Sequence, residues 1–362
     1  MSFLLSILTA IAMVDARAVV RRDFVPTVNR TTLVGVVTDP HLDRDSCGSV
    51  KWGNRVLWTC RDTQYVTNGT VENFFSSSAS YSDLNTDGSL PLVTPVPDEF
   101  FPSGDYPAAL VLYGDNHNTS FFEVQSDECG DNQGGSCSDG SRFVIWPNYP
   151  PLITSESSSA IVAYNWIKKA QITSSFQLFQ PDPPTSLYRV TSAPGGADSD
   201  TLPSVTLINE EFFAVDQWNY GNYGGIVVGG TAYLYAQNNA GDIALAKVAT
   251  DSVEDSTQYS YYVDGSWIGS RPAINDTSAS LNVTAGGQGT FYYSETWQSY
   301  VWIGPWSTAE HILSVPNGNS ASIGSYTMQA HPEYSGPNEI YVTYTIQDTD
   351  HYETPLYLIQ FN

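Results

Sequence analysis

The sequence is poor in basic residues, in histidine and in long apolar runs. Lys and Arg total 14 against 38 Asp and Glu, a formal net charge of −24 over 362 residues. A surface of that sign repels nucleic acid and anionic membranes, which excludes both as partners. It suits a neutral or cationic ligand, or solubility in acidic surroundings. Five histidines are too few for a multi-histidine metal site to be the default. The chain holds no G-x-S-x-G elbow, H-E-x-x-H pair, P-loop or dinucleotide fingerprint, so the best-marked hydrolase, metalloprotease and nucleotide chemistries lack support. No redox cofactor is implied, and no spacing encodes a structural Ca²⁺ or Na⁺.

The one apolar run near membrane length, Phe3 to Val14, is too short to span a bilayer and precedes the small-x-small site Ala16-Arg17-Ala18. This predicts a signal peptide over residues 1–18, although a charged n-region is missing. Residues 19–30 carry a second, dibasic candidate, Arg21-Arg22, and no anchor tail ends the chain. Sequons at Asn29, Asn68, Asn118, Asn275 and Asn282 agree with a soluble, secreted glycoprotein. The four cysteines allow three connectivities. Cys47–Cys60 and Cys129–Cys137 are favoured, the second closing the Gly-rich loop DECGDNQGGSC.

Helical periodicity is scarce. Short runs of Val, Ile, Tyr, Phe and Trp alternate with Gly, Pro, Asn, Asp and Ser, which predicts an all-β protein. In DSCGSVKWGNRVLWTCRD (45–62), Gly53-Asn54 is a hairpin turn between apolar runs. That register pairs Cys47 with Cys60 and Asp45 with Asp62 at positions where Cα atoms approach to about 4.5 Å, within cystine range. Four further hairpin units follow, around 143–167, 220–239, 287–305 and 325–345. Strand candidates trail them, including Ala108–Tyr113 and Phe121–Gln125 after the first. Five such units predict a five-bladed β-propeller in a single domain, residues 31–362, with a sandwich or two-domain β-protein as the alternative. The fifth unit lacks an outermost strand, and Thr32–Val37 is expected to supply it.

The order RDSCGSVKWGNRVLWTCRDT, WNYGNYGGIVVGGTAYLYA, DIALAKV, YYVDGSW, GTFYYSETWQSYVWIG, YTMQAHPEYSGPNEIYVTYT covers residues 44–346. It resembles secreted, five-bladed propeller proteins of the "domain of unknown function 4185" type. These are similar in turn to propeller glycosidases such as arabinanases, arabinofuranosidases and β-xylosidases. The resemblance implies a site at one mouth of the central channel, with Asp45 at the general base or nucleophile position. It also implies a fungal-type monomer acting on oligo- or polysaccharide, arabinose-containing glycan being favoured. The usual general-acid Glu has no match, since Glu295 sits in a hairpin turn.

Glycoside hydrolysis takes two carboxyl groups about 5–5.5 Å apart for retention or 6.5–9.5 Å for inversion. Asp45 and Asp62, opposed on one ladder, approach from the same side, so Asp62 is read as tuning Asp45 rather than sharing the chemistry. The acid must come from another blade: Glu156, the Glu210-Glu211 pair, or Asp216. Asp216 is preferred because Trp218 and Tyr220 beside it offer sugar-stacking faces. His331 is a candidate hydrogen-bond donor to substrate at the mouth. A non-catalytic, carbohydrate-binding propeller is the competing reading.

Overall fold

The computed structural model of the chain describes residues 2–7, 26–97, 104–114, 119–130, 137–157, 160–192, 200–284, 287–304, 310–316, 318, 324–347 and 351–362. Its described elements are strands and three short 3-10 turns, as the alternating apolar pattern requires. Five sheets carry the fold. The first holds Gly48–Trp52, Arg55–Cys60 and Ser78–Asp83. The second runs from Leu152–Glu156 through Ile161–Ile172 and Thr185–Ser192 to Ser204–Phe213, with Arg142–Ile145 also paired to the long second strand. The third starts Gly224–Val228, Thr231–Gln237 and Asp242–Ala249. In the fourth, Thr290–Ser294 and Ser299–Gly304 continue outward to Ser2–Ile7 and Glu310–Ser314, so part of the expected leader pairs as a strand. The fifth is Tyr326–His331, Glu339–Gln347, Tyr352–Phe361 and Val28–Thr38.

Five apolar clusters join these sheets in a cycle. Trp52, Leu57 and Ile161 fill the seam between the first and second sheets, and Trp166, Leu187 and Leu234 that between the second and third. Tyr223, Tyr235 and Trp302 join the third to the fourth. Val301, Met328 and Ile340 join the fourth to the fifth, and Trp58, Tyr334 and Leu356 join the fifth back to the first. A ring of sheets packed face to face in this way is a β-propeller. The blades meet closely at the axis. A Cβ on Gly48 would lie 2.9 Å from Pro150 Cδ, and one on Gly224, at φ +125°, 2.7 Å from the Phe291 ring.

Both expected cystines form, with Cα separations of 4.1 Å for Cys47–Cys60 and 5.0 Å for Cys129–Cys137. The first hairpin has the expected register, Val50 opposite Leu57. The N-terminal strand closes the last blade, from Val28 opposite Phe361 to Val37 opposite Thr354. The strand candidate after the first unit goes elsewhere than expected. Ala109–Val111 pairs in parallel with Val28–Thr38, and only Tyr113 bridges to Tyr81 of the first blade. Phe121 and Phe122 are not in a strand and pack into the first seam. A small sheet of Leu42–Arg44, Thr63–Thr67 and Thr70–Phe75 also stands outside the expected set, although Asn68-Gly69 marks its hairpin. Asn29, Asn68, Asn275 and Asn282 are exposed; Asn118 and Arg21-Arg22 lie outside the described residues.

Removing the chain through Thr38 leaves Tyr352–Phe361 as an open, largely apolar edge, the arrangement that templates aggregation. The expected result is loss of a monomeric, cooperatively melting species in size-exclusion and thermal denaturation experiments. A truncated protein that melts like the parent would contradict closure by this strand.

Candidate active site

The open end of the first hairpin does not continue as a regular ladder. The Asp45 amide donates to the Asp62 carbonyl at 2.9 Å, while the Arg61 amide donates to the Asp45 carbonyl at 2.8 Å. Two residues therefore oppose one, the mark of a bulge, and the adjacent Ser46 takes φ +54°. The bulge brings Asp45, Arg61 and Asp62 to one end of the blade.

Arg61 reaches a polar hub drawn from all five blades. Its guanidinium donates to Asn148 Oδ1. With the Gln288 amide turned so that its oxygen faces the guanidinium, Arg61 Nε donates to that oxygen at 2.8 Å. Asn148 Nδ2 donates to Asn222 Oδ1 at 2.8 Å and to the Asn222 carbonyl at 3.0 Å. Gln329 Nε2 donates to the Asn148 carbonyl at 3.1 Å. Arg61 follows the second strand of the first blade, and Asn148, Asn222 and Gln288 each lead into an inner strand. Gln329 lies within the fifth. The hub thus carries a guanidinium, and among the described residues no group of three or more His, Cys, Asp or Glu side chains is arranged to hold a metal ion.

Asp45 and Asp62 have different fates. Asp45 remains partly open to solvent. Burial pushes its carboxyl up to about 6, helped by Asp62, while Arg61 and hydrogen bonds from Ser46 and Tyr326 oppose the rise. Ser46 ties this segment to the fifth blade, its amide donating to Thr345 Oγ1 at 2.9 Å and its hydroxyl bonding Thr327 Oγ1 at 2.9 Å. Asp62 is buried and held by Arg142 through both oxygens, at 3.0 and 2.6 Å, with the Trp146 indole N–H at 2.8 Å. Burial raises its carboxyl, and these three donors work against that rise. An acid so engaged is a fixed charge beside Asp45, not a free proton carrier.

The other expected site residues divide by location. Asp216 is exposed in a turn at the mouth end of the third blade, its amide donating to the Asp182 carbonyl at 3.1 Å. Asp182, which the sequence did not single out, is partly open on the same rim. Burial pushes its carboxyl up against the pull of Lys168. Glu156 pairs with Ile161 beside the turn of the second blade. Gly53, in the first blade's turn, faces Ile161, so Glu156 lies at the end of the ring opposite Asp45 and cannot serve as its acid. Trp218 and Tyr220 are not sugar platforms: both are closed in the seam between second and third blades, and the Trp218 indole donates to the Ala273 carbonyl at 3.0 Å. Their aromatic character packs blades together. His331 also lies away from the mouth, fully buried against Trp58 at 4.6 Å and bonded to Ser49 Oγ at 2.5 Å and Thr343 Oγ1 at 2.8 Å. Burial pushes it down to about 3, so it is a neutral packing residue. Trp146 is an aromatic ring partly open at the mouth, with Arg61 and Arg142 over it at 5.8 and 5.7 Å.

A cavity of about 300 Å³ adjoins this stretch, lined in part by Arg44 and Cys47, which bracket Asp45. Its acids are internally engaged: Asp39 with Ser80 and Arg44, Asp43 with His351 and the Tyr352 amide, Glu353 with the Tyr106 hydroxyl. The mouth, not this cavity, carries the open carboxyl.

Two measurements check this division of labour. Arg142→Ala strands a buried carboxylate and should cost about 3–5 kcal/mol in urea unfolding, much of it regained when Asp62→Asn is added. Asp45 has a folded pKa above its unfolded value, so its contribution to stability is present below about pH 4 and is lost as pH rises through 6. The stability difference between parent and Asp45→Asn should shift by about 1–3 kcal/mol across that window and be flat above it. A pH-independent difference would show that Asp45 is not perturbed.

No protein-family model matches this chain, and no curated protein matches it by sequence. Solved structures do resemble it. A Bacteroides ovatus ATCC 8483 protein assigned as a hydrolase is 15% identical with a TM-score of 0.53, covering 88% of this chain and 85% of its own. The xylan β-1,4-xylosidase from Bacillus halodurans C-125 is 9% identical with a TM-score of 0.39, over 90% of this chain and 53% of its own, so the chain spans about half of that enzyme. The likeness to the Bacteroides ovatus protein is one of fold, and the fold of this chain is an all-β propeller.

Proposed function

We propose that the protein is a secreted glycoside hydrolase-like propeller that takes oligo- or polysaccharide at its mouth, arabinose-containing glycan being favoured, with Asp45 as the general base or nucleophile. The observation that carries this reading is the contrast between the two acids of the first hairpin. Asp45 is partly open and has a carboxyl raised to about 6, while Asp62 beside it is locked by Arg142. A base near 6 is matched to proton transfer in mildly acidic surroundings. The acid is assigned to the rim formed by Asp182 and Asp216. Asp182 is the better of the two because its raised carboxyl holds a proton longer. Trp146 supplies the aromatic face at the mouth. Two cystines and four exposed sequons support an exported chain, and N-terminal sequencing of the mature protein should begin beyond Ala18. Retention of Ser2–Ile7 would mean instead that this segment stays as a strand of the fourth blade.

A second reading, a non-catalytic carbohydrate-binding propeller, is favoured by one fact. The carboxylate beside Asp45 is Asp62, and that one is occupied by Arg142. Hydrolysis of arabinan, xylan, fructan and galactan oligosaccharides distinguishes the two. On the hydrolase reading, Asp45→Asn abolishes turnover while binding persists, and the parent's kcat/KM falls on the acid side of about pH 6. Binding without turnover by the parent on all four would leave the binding module.

A further inference from the structure

We propose that the mouth takes a glycan bearing a carboxylate, a uronic-acid unit, with Arg61 as the direct ligand of that carboxylate. This rests on the glycan reading of the mouth and names the substrate class for it. The hydrogen-bond partners of the Arg61 guanidinium are neutral amides, Asn148 Oδ1 and the Gln288 oxygen, which engage Nε and Nη2. Its Nη1 has no protein acceptor among the described residues, and no carboxylate there lies within ion-pairing distance. Arg44 and Arg142, two buried arginines near it, each have a carboxylate in direct contact, Asp39 and Asp62. Asp45 and Asp62 act on the Arg61 charge without touching it, and a guanidinium nitrogen held largely from water with no acceptor in direct contact is costly unless something completes it. Arg61 retains some open surface, so a ligand can do so.

The charged and acidic groups facing Arg61 are Asp45, Asp62 and Tyr326, with Lys168 near enough to feel its charge. Asp62 is taken by Arg142. Lys168 is also partly open, and its Nζ has one hydrogen bond, to the Gln237 carbonyl at 3.4 Å. Two cations, Arg61 and Lys168, therefore sit among the mouth acids Asp45 and Asp182 in a chain whose formal charge is −24. The surface as a whole repels an anion, but that field is screened beyond about 8 Å at physiological ionic strength. Within that range a charge-assisted hydrogen bond in a partly dry site decides the outcome.

The test is calorimetric titration of the full protein, at pH 7 and physiological salt, with a galacturonic-acid oligosaccharide, its methyl ester and a neutral arabino-oligosaccharide. The free acid should bind about tenfold more tightly than its ester, a ratio that one charge-assisted hydrogen bond supplies. Arg61→Gln should bring the acid to the level of the ester, the ratio of the two within that variant being the readout. Lys168→Gln, at a partly open position away from the hub, should reduce the preference in part, and reads the same charge if the Arg61 variant fails to fold. Equal binding of acid and ester by the parent overturns the proposal while leaving the glycan reading standing. Binding of none of the three overturns both.

Discussion

One guanidinium on the axis holds the functional end of this ring together. Arg61 from the first blade and amides from the other four meet in a single hydrogen-bonded network. Hydrogen bonds of this kind gain strength in a low-dielectric surrounding, and each partner left unmade becomes correspondingly costly. The network therefore fixes the five inner strands relative to one another at that end. The bulge that sends Arg61 to the axis also sets Asp45 at the edge of the hub, so the same irregularity positions the ring and the candidate base.

Perturbed titration does not by itself mark the site. The seam between the first and fifth blades holds a second polar group: Ser49, His331 and Glu333, with Ser49 Oγ bonded to both of the others. Burial pushes Glu333 up to about 7 and His331 down to about 3, so His331 is held neutral and Glu333 keeps its proton below about pH 7. These shifts are as large as that of Asp45, yet the side chains are closed off. What separates the mouth from the seam is access, together with a fixed charge pair, Asp62–Arg142, that leaves one acid free.

Much of the architecture was legible because hairpins are local. Gly53-Asn54 determines the register that joins Cys47 to Cys60, although beyond the cystine a bulge sets both Arg61 and Asp62 opposite Asp45 in place of the regular Asp45–Asp62 pair expected, and the missing outer strand of the fifth unit pointed to the N-terminal segment. Asn68-Gly69 carried an equally plain turn signal for the small sheet. The errors have a common cause. A propeller blade is packed on both faces, so alternation along a strand does not say which seam a ring fills. Trp218 and Tyr220 looked like sugar platforms and His331 like a mouth residue for that reason.

By itself the sequence determined the all-β class and the presence of an acid pair at the end of the first hairpin, since each follows from turn chemistry and spacing within a few tens of residues. Only the tertiary structure decided which acid is free. Arg142 and Trp146, some eighty residues from Asp62, hold that carboxylate across a blade boundary. Asn148, Asn222, Gln288 and Gln329 meet Arg61 only because the ring closes. Contacts across an axis depend on how sheets are placed relative to one another, and no local pattern in the chain specifies that placement.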